Sequence, residues 1–203
     1  MNTIIGGTMI KSVVTTQSKW KENLKHDYFD LESDTLVVML PGSEHTVEGP
    51  LFYYLIGEMF DLGYDVLGVN YGFHFSQEKP NLEEMTQLEN EIFDTISKVK
   101  SYKKYVFIAK SLGTRFLQSL HKKYGGKCVY LTPTDIMLTY GIAEDSIFVY
   151  GDADKTLSEE NRRLLSNYKT HVVIGGNHSL LSGGLKENLN HVIDFVKFVK
   201  DEI

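Results

Sequence analysis

The run Thr35-Leu36-Val37-Val38-Met39-Leu40, closed by Pro41-Gly42, constrains the fold more than any other stretch of this chain. It has no alternation of apolar and polar residues. A strand of that kind is stable only where both of its faces are buried, as in the centre of a parallel sheet. Comparable runs recur at 64–70, 105–108, 127–131, 146–150 and 171–174. Between them the apolar spacing turns helical. Phe52, Leu55, Ile56, Met59 and Phe60 form one stripe ahead of Gly63, and Met85, Leu88, Ile92, Ile96 and Val99 form a second. Phe116, Leu117 and Leu120 face inward from a helix expected over 112–124, and Leu189, Ile193, Val196 and Val199 or Lys200 mark the inner edge of one over 185–200. Ser158 is placed to cap a helix ending near Tyr168. The alternation from residue 34 onward predicts an α/β fold, with a mostly parallel central sheet and helices on both faces. Ahead of it, 3–5 and 9–16 read as an edge strand or hairpin, and 20–31 shows no clear period.

A chain of 203 residues without a Pro-, Gly- or Ser-rich linker predicts one domain over 1–203. The net charge of −6, from 27 acidic and 21 basic residues, argues against a general nucleic-acid binder. The single cysteine, Cys128, excludes an internal disulfide and a Cys-rich zinc site, and its apolar surroundings point to packing. No run approaches the ~20 apolar residues of a membrane span. The N-terminus lacks a signal-peptide pattern, so a cytoplasmic protein is expected.

Chemistry concentrates on Tyr105–Phe116, where an apolar run passes through Ala109-Lys110-Ser111-Leu112-Gly113 into a helical pattern. Ser111 stands at the tip of a sharp turn, with small residues two positions to either side. A serine hydroxyl needs a base to take its proton as it attacks, and histidine suits that task near neutral pH. The histidine in turn needs an acid on its far nitrogen to fix the tautomer. Asp154 and His178 follow in that order, each a few residues past a strand. In open α/β sheets that is the edge where ligands bind.

From residue 34 to the C-terminus the chain resembles the α/β-hydrolase superfamily. The segments that carry the resemblance are L-P-G-S-E-H at 40–45, A-K-S-L-G-T at 109–114, Y-G-D-A-D-K-T at 150–156 and G-G-N-H-S-L at 175–180. Ala109 stands where the family's G-x-S-x-G elbow has its first glycine. The resemblance implies Ser111 as nucleophile, His178 as general base and Asp154, three residues after the loop glycine, as orienting acid, with Asp152 as a turn residue. It implies an oxyanion hole built from the N–H groups of Leu112 and Ser43. The family commonly has His-Gly where this chain has Pro41-Gly42. The connection 134–145 is too short for a cap domain, so the expected fold is a minimal, cap-less one and Ser111 is expected in an accessible cleft. Its rim would draw on Gly42, Glu44, His45, Phe73, His74, Phe75, Lys110 and Pro133. Lys110 reads as a solvated or salt-bridged neighbour of the nucleophile.

The expected activity is hydrolysis of a small ester, thioester, lactone or amide, most simply as a carboxylesterase. No cofactor is implied. Gly175-Gly176 and Gly183-Gly184 match no phosphate-binding pattern, and the spacing of His45 and His74 fits no zinc site. Two other readings share this fold. One is a small-molecule binding protein without catalysis, against which the ordered Ser, Asp and His argue. The other is a nucleotide or flavin binder, against which the missing phosphate motifs argue.

Overall fold

The computed structural model describes residues 3–4, 7–8, 10–44, 46–76 and 78–203. The chain divides into two compact units, Met1–Tyr105 and Val106–Ile203.

In the first unit, β1 (Thr3–Ile4) and β2 (Gly7–Thr8) pair antiparallel. Ile5 and Met9, which the sequence adds to these pieces, lie outside the described residues. β3 (Ile10–Thr16) runs antiparallel to β4 (Leu24–Asp30), and β4 runs antiparallel to β6 (Asp65–Gly68). β6 lies parallel to β5 (Thr35–Leu40). Every residue of β5 and β6 is buried, as the unbroken apolar run at 35–40 requires. Helix α1 (Pro50–Asp61) connects them. Pro50 opens it at a position where its missing N–H costs nothing. Gly63, with φ 70°, closes it: Gly63 N–H bonds Phe60 O at 2.9 Å and Tyr64 N–H bonds Met59 O at 3.0 Å. Gly57 sits inside α1, and a Cβ there would meet nothing within 4 Å. Helix α2 (Glu84–Ser97) buries Met85, Leu88, Ile92 and Ile96 of the stripe its spacing predicts, whereas Val99 lies beyond the helix end and is half-buried.

Strand β4 fills the stretch for which no period was apparent. Leu24, His26 and Tyr28 point to the buried side, and the polar residues between them hide the alternation. His26 is 1% exposed. Its Nδ1 accepts the Asn70 N–H at 3.0 Å, so its proton lies on Nε2, which donates to Thr16 Oγ1 at 2.8 Å. Burial lowers its pKa from 6.5 to about 4, and the nearby Lys98 ammonium adds to that shift. The fully buried Asp65 carboxylate accepts from the N–H groups of Leu31 and Ser33 and from Tyr102 Oη, and it pairs with Lys100 at 2.8 Å.

In the second unit four strands run parallel in the order β10-β9-β8-β7: β7 (Lys104–Lys110, which enters this unit at Val106), β8 (Lys127–Leu131), β9 (Ile147–Gly151) and β10 (Lys169–Val173). The apolar residues of β8 and β9 are buried, including Cys128. Burial raises the Cys128 thiol pKa to about 12, which keeps it an unreactive packing group. The helix expected over 112–124 begins instead as a 3₁₀ turn, Ser111–Phe116, and becomes α-helical in α3 (Leu117–Tyr124). The 132–146 connection carries only the short α4 (Asp135–Leu138). Ser158 caps α5 (Glu159–Leu165) by accepting from Asn161 N–H, and that helix stops short of Tyr168. The last helix, α6 (Leu185–Glu202), departs from its expected inner edge. It packs on β9 and β10 through Phe195, Val196 and Val199, while Leu189 and Ile193 are 43% and 63% exposed.

Taken together the strands are mostly parallel and the fold class is α/β, as the alternation predicts. Among the described residues no helix is long and apolar enough to cross a membrane.

Candidate active site

The three residues singled out by order along the chain meet in the second unit. Ser111 follows directly on β7 and has φ 47°, the left-handed region that side chains with a Cβ rarely adopt. Such a conformation is held only when its surroundings determine it. Thr114 Oγ1 contributes by donating to Ser111 O at 2.6 Å. The turn throws the Ser111 side chain clear of the strand and leaves Leu112 N–H at the start of the helical turns, where such donors have no partner within the helix.

Asp154 lies in the loop after β9 and is 1% exposed. His178 lies in the loop after β10. The two loops are bonded to each other along their backbones: Asp152 N–H bonds Val173 O at 3.2 Å, and Ala153 N–H bonds Gly176 O at 3.0 Å. Asp152 Oδ1 accepts Gly175 N–H at 2.5 Å, so its turn role extends to tying the loops together. The approach is so close that a Cβ on Gly151 would stand 1.9 Å from Gly176 O. That position must be glycine.

His178 Nδ1 lies 2.7 Å from Asp154 Oδ2, and its Nε2 lies 2.9 Å from Ser111 Oγ. A carboxylate oxygen only accepts, so Nδ1 carries the proton and Nε2 is left to accept from the serine hydroxyl. The imidazole is partly exposed and the carboxylate is fully covered. Asp154 Oδ1 accepts from both N–H and Oγ1 of Thr156, at 2.9 and 2.8 Å, and Thr156 Oγ1 also lies 3.0 Å from His178 Nδ1. Arg162 donates to the Asp154 carbonyl. Thr156 was not singled out from the sequence. The signal available was its place two residues after the acid, where a hydroxyl can fold back on the preceding carboxylate.

The solvated reading of Lys110 does not hold. Its side chain is almost wholly buried, and Nζ donates to His178 O at 3.1 Å, so it anchors the histidine loop. Leu112 and Pro133 are buried. In the first unit, Ser43 and Glu44 lie exposed in the loop after β5, and Gly42 O accepts from His74 Nε2 at 3.0 Å. Phe73 is buried among Trp20, Tyr71 and His74 and is committed to packing, whereas Phe75 is exposed. His45 lies outside the described residues.

No protein-family model matches the sequence, and no curated protein does. Solved structures match over nearly the whole chain. A serine hydrolase without a lid from Xanthomonas campestris superposes with a TM-score of 0.68 at 11% identity, covering 95% of this chain and 93% of that one. The chain has the α/β-hydrolase fold. An esterase from Pyrococcus furiosus matches this α/β-hydrolase fold with a TM-score of 0.65 at 14% identity, over 97% of this chain and 93% of its own. The esterase Est1E from Butyrivibrio proteoclasticus matches with a TM-score of 0.61 at 12% identity, over 93% and 98%. The short 132–146 connection, which carries only α4, accords with the lidless neighbour.

Proposed function

We propose that the chain is a serine hydrolase acting on small carboxylic esters, with thioesters, lactones and amides within the same chemistry. Ser111 Oγ attacks the acyl carbonyl as His178 Nε2 takes its proton. Asp154 holds the imidazole in the required tautomer and stabilises the imidazolium. The tetrahedral oxyanion takes a hydrogen bond from Leu112 N–H, next to the nucleophile at the start of a helical segment. His178 then returns the proton to the leaving alkoxide. Water repeats the sequence on the acyl-enzyme to release the acid.

The observation that carries this reading is the continuous hydrogen-bond line from Ser111 through His178 to a buried Asp154, at 2.9 and 2.7 Å. A serine placed only to cap a helix has no need of such a partner. The esterase and hydrolase neighbours support the class of reaction.

The test is labelling with a fluorophosphonate probe, followed by mapping of the modified peptide. One adduct on Ser111 is expected, together with hydrolysis of p-nitrophenyl acetate that Ser111→Ala lowers by roughly 10⁴-fold or more. An adduct elsewhere, or none, would refute it.

A further inference from the structure

We propose that Thr156 is a positioning residue for His178, acting on the carboxylate and the imidazole at once. The inference rests on the hydrolase reading and adds to it a group outside the Ser-His-Asp set.

The argument follows the protons. Thr156 gives Asp154 Oδ1 two donors, its backbone N–H at 2.9 Å and its hydroxyl at 2.8 Å. Both lie on one oxygen, so Oδ2 is left to face His178 Nδ1 at 2.7 Å. A hydroxyl has a single proton. With that proton on Oδ1, what Thr156 Oγ1 presents to Nδ1 at 3.0 Å is a lone pair. The reverse assignment, with the hydroxyl donating to Nδ1, would require an unprotonated Nδ1 against the carboxylate oxygen at 2.7 Å, two acceptors in contact. The Nδ1 proton is therefore shared between Asp154 Oδ2 and Thr156 Oγ1, and the three side chains close a ring.

That ring does two things the pair alone cannot. It blocks rotation of the carboxylate, which would otherwise trade Oδ2 for Oδ1 opposite the imidazole. It also gives the imidazolium formed during catalysis a second acceptor on the side away from Ser111. The side chain of Thr156 is exposed, so packing does not account for its contacts. Its β-branch restricts χ1 and keeps the hydroxyl aimed inward.

Thr156→Val preserves shape, β-branch and backbone N–H and removes only the hydroxyl, whereas Thr156→Ser keeps the hydroxyl. With p-nitrophenyl acetate as probe, Thr156→Val is expected to lower kcat on the order of ten-fold with KM unchanged, and to slow fluorophosphonate labelling of Ser111 by the same factor. Thr156→Ser should recover most of both and melt near the wild-type temperature, whereas Thr156→Val, which leaves Asp154 Oδ1 one donor short, should stay folded and melt somewhat lower. A Val variant within about two-fold of wild type, or a loss that Ser does not recover, refutes the inference and leaves the hydrolase reading standing. A wild-type protein that takes no label on Ser111 refutes both.

Discussion

His26 is expected to make the first unit acid-labile. Its imidazole is 1% exposed and neutral, held by Asn70 N–H on one nitrogen and by Thr16 on the other. Its pKa falls from 6.5 to about 4 because burial penalises the charged ring, with Lys98 adding to the effect. Above pH 6.5 neither the folded nor the unfolded state binds the proton, and the full contribution to stability is present. Between 6.5 and 4 the unfolded chain binds more protons than the folded one, so stability falls as pH falls and the contribution is gone once pH has dropped through the folded pKa. A shift from 6.5 to about 4, at 1.36 kcal/mol per unit, corresponds to roughly 3 kcal/mol. That is a large part of the stability of an ordinary domain. Urea unfolding at a series of pH values through this window measures it. His26→Gln, which keeps a donor and an acceptor but does not titrate, separates it from the other groups, including His171, whose pKa burial also lowers. The variant should lose most of the pH slope. An unchanged slope in the variant, or a wild type that gains stability toward pH 4, would refute the assignment.

Two glycines give opposite expectations. Gly151→Ala drives a methyl into Gly176 O, so it should destabilise by about 1–3 kcal/mol and slow Ser111 labelling as the loops that carry Asp154 and His178 separate, read by urea unfolding and by the probe. Gly57→Ala adds a methyl in open space inside α1 and should stabilise by about 0.5–1 kcal/mol with labelling unchanged.

The fold was legible where burial leaves an unmistakable trace. The strand at 35–40 and the stripe of α2 follow from apolar spacing alone, because residues buried on both faces or along one stripe have no freedom to be polar. Strand β4 was illegible for the converse reason. Its buried side includes His26, whose polar atoms are satisfied by Thr16 and Asn70, partners distant in sequence. Helix α6 misled through exposed apolar residues: Leu189 and Ile193 continue a stripe that the sheet never covers. At the site, Ser111, Asp154 and His178 could be ordered from the loops that hold them. Lys110 could not, because its role depends on which carbonyl lies within about 3 Å, a matter of loop path that periodicity does not encode; Thr156 offered only its place two residues after Asp154.

The backbone bonds between the loops after β9 and β10 bear on how such a site can change over time. Asp154 and His178 ride on one bonded piece of main chain, and most of the side chains along it face outward. Substitution at Ala153, Lys155 or Ser179, all exposed, changes the surface of these loops without moving Asp154 relative to His178. Beside Asp154 and His178 themselves, two positions closed to drift, Gly151 and Gly176, carry no functional group. A Cβ at the first meets the backbone of the second, and one at the second meets Val173 at 2.7 Å. In a lineage of such chains, the lasting mark of the chemistry would be the places where a side chain has no room.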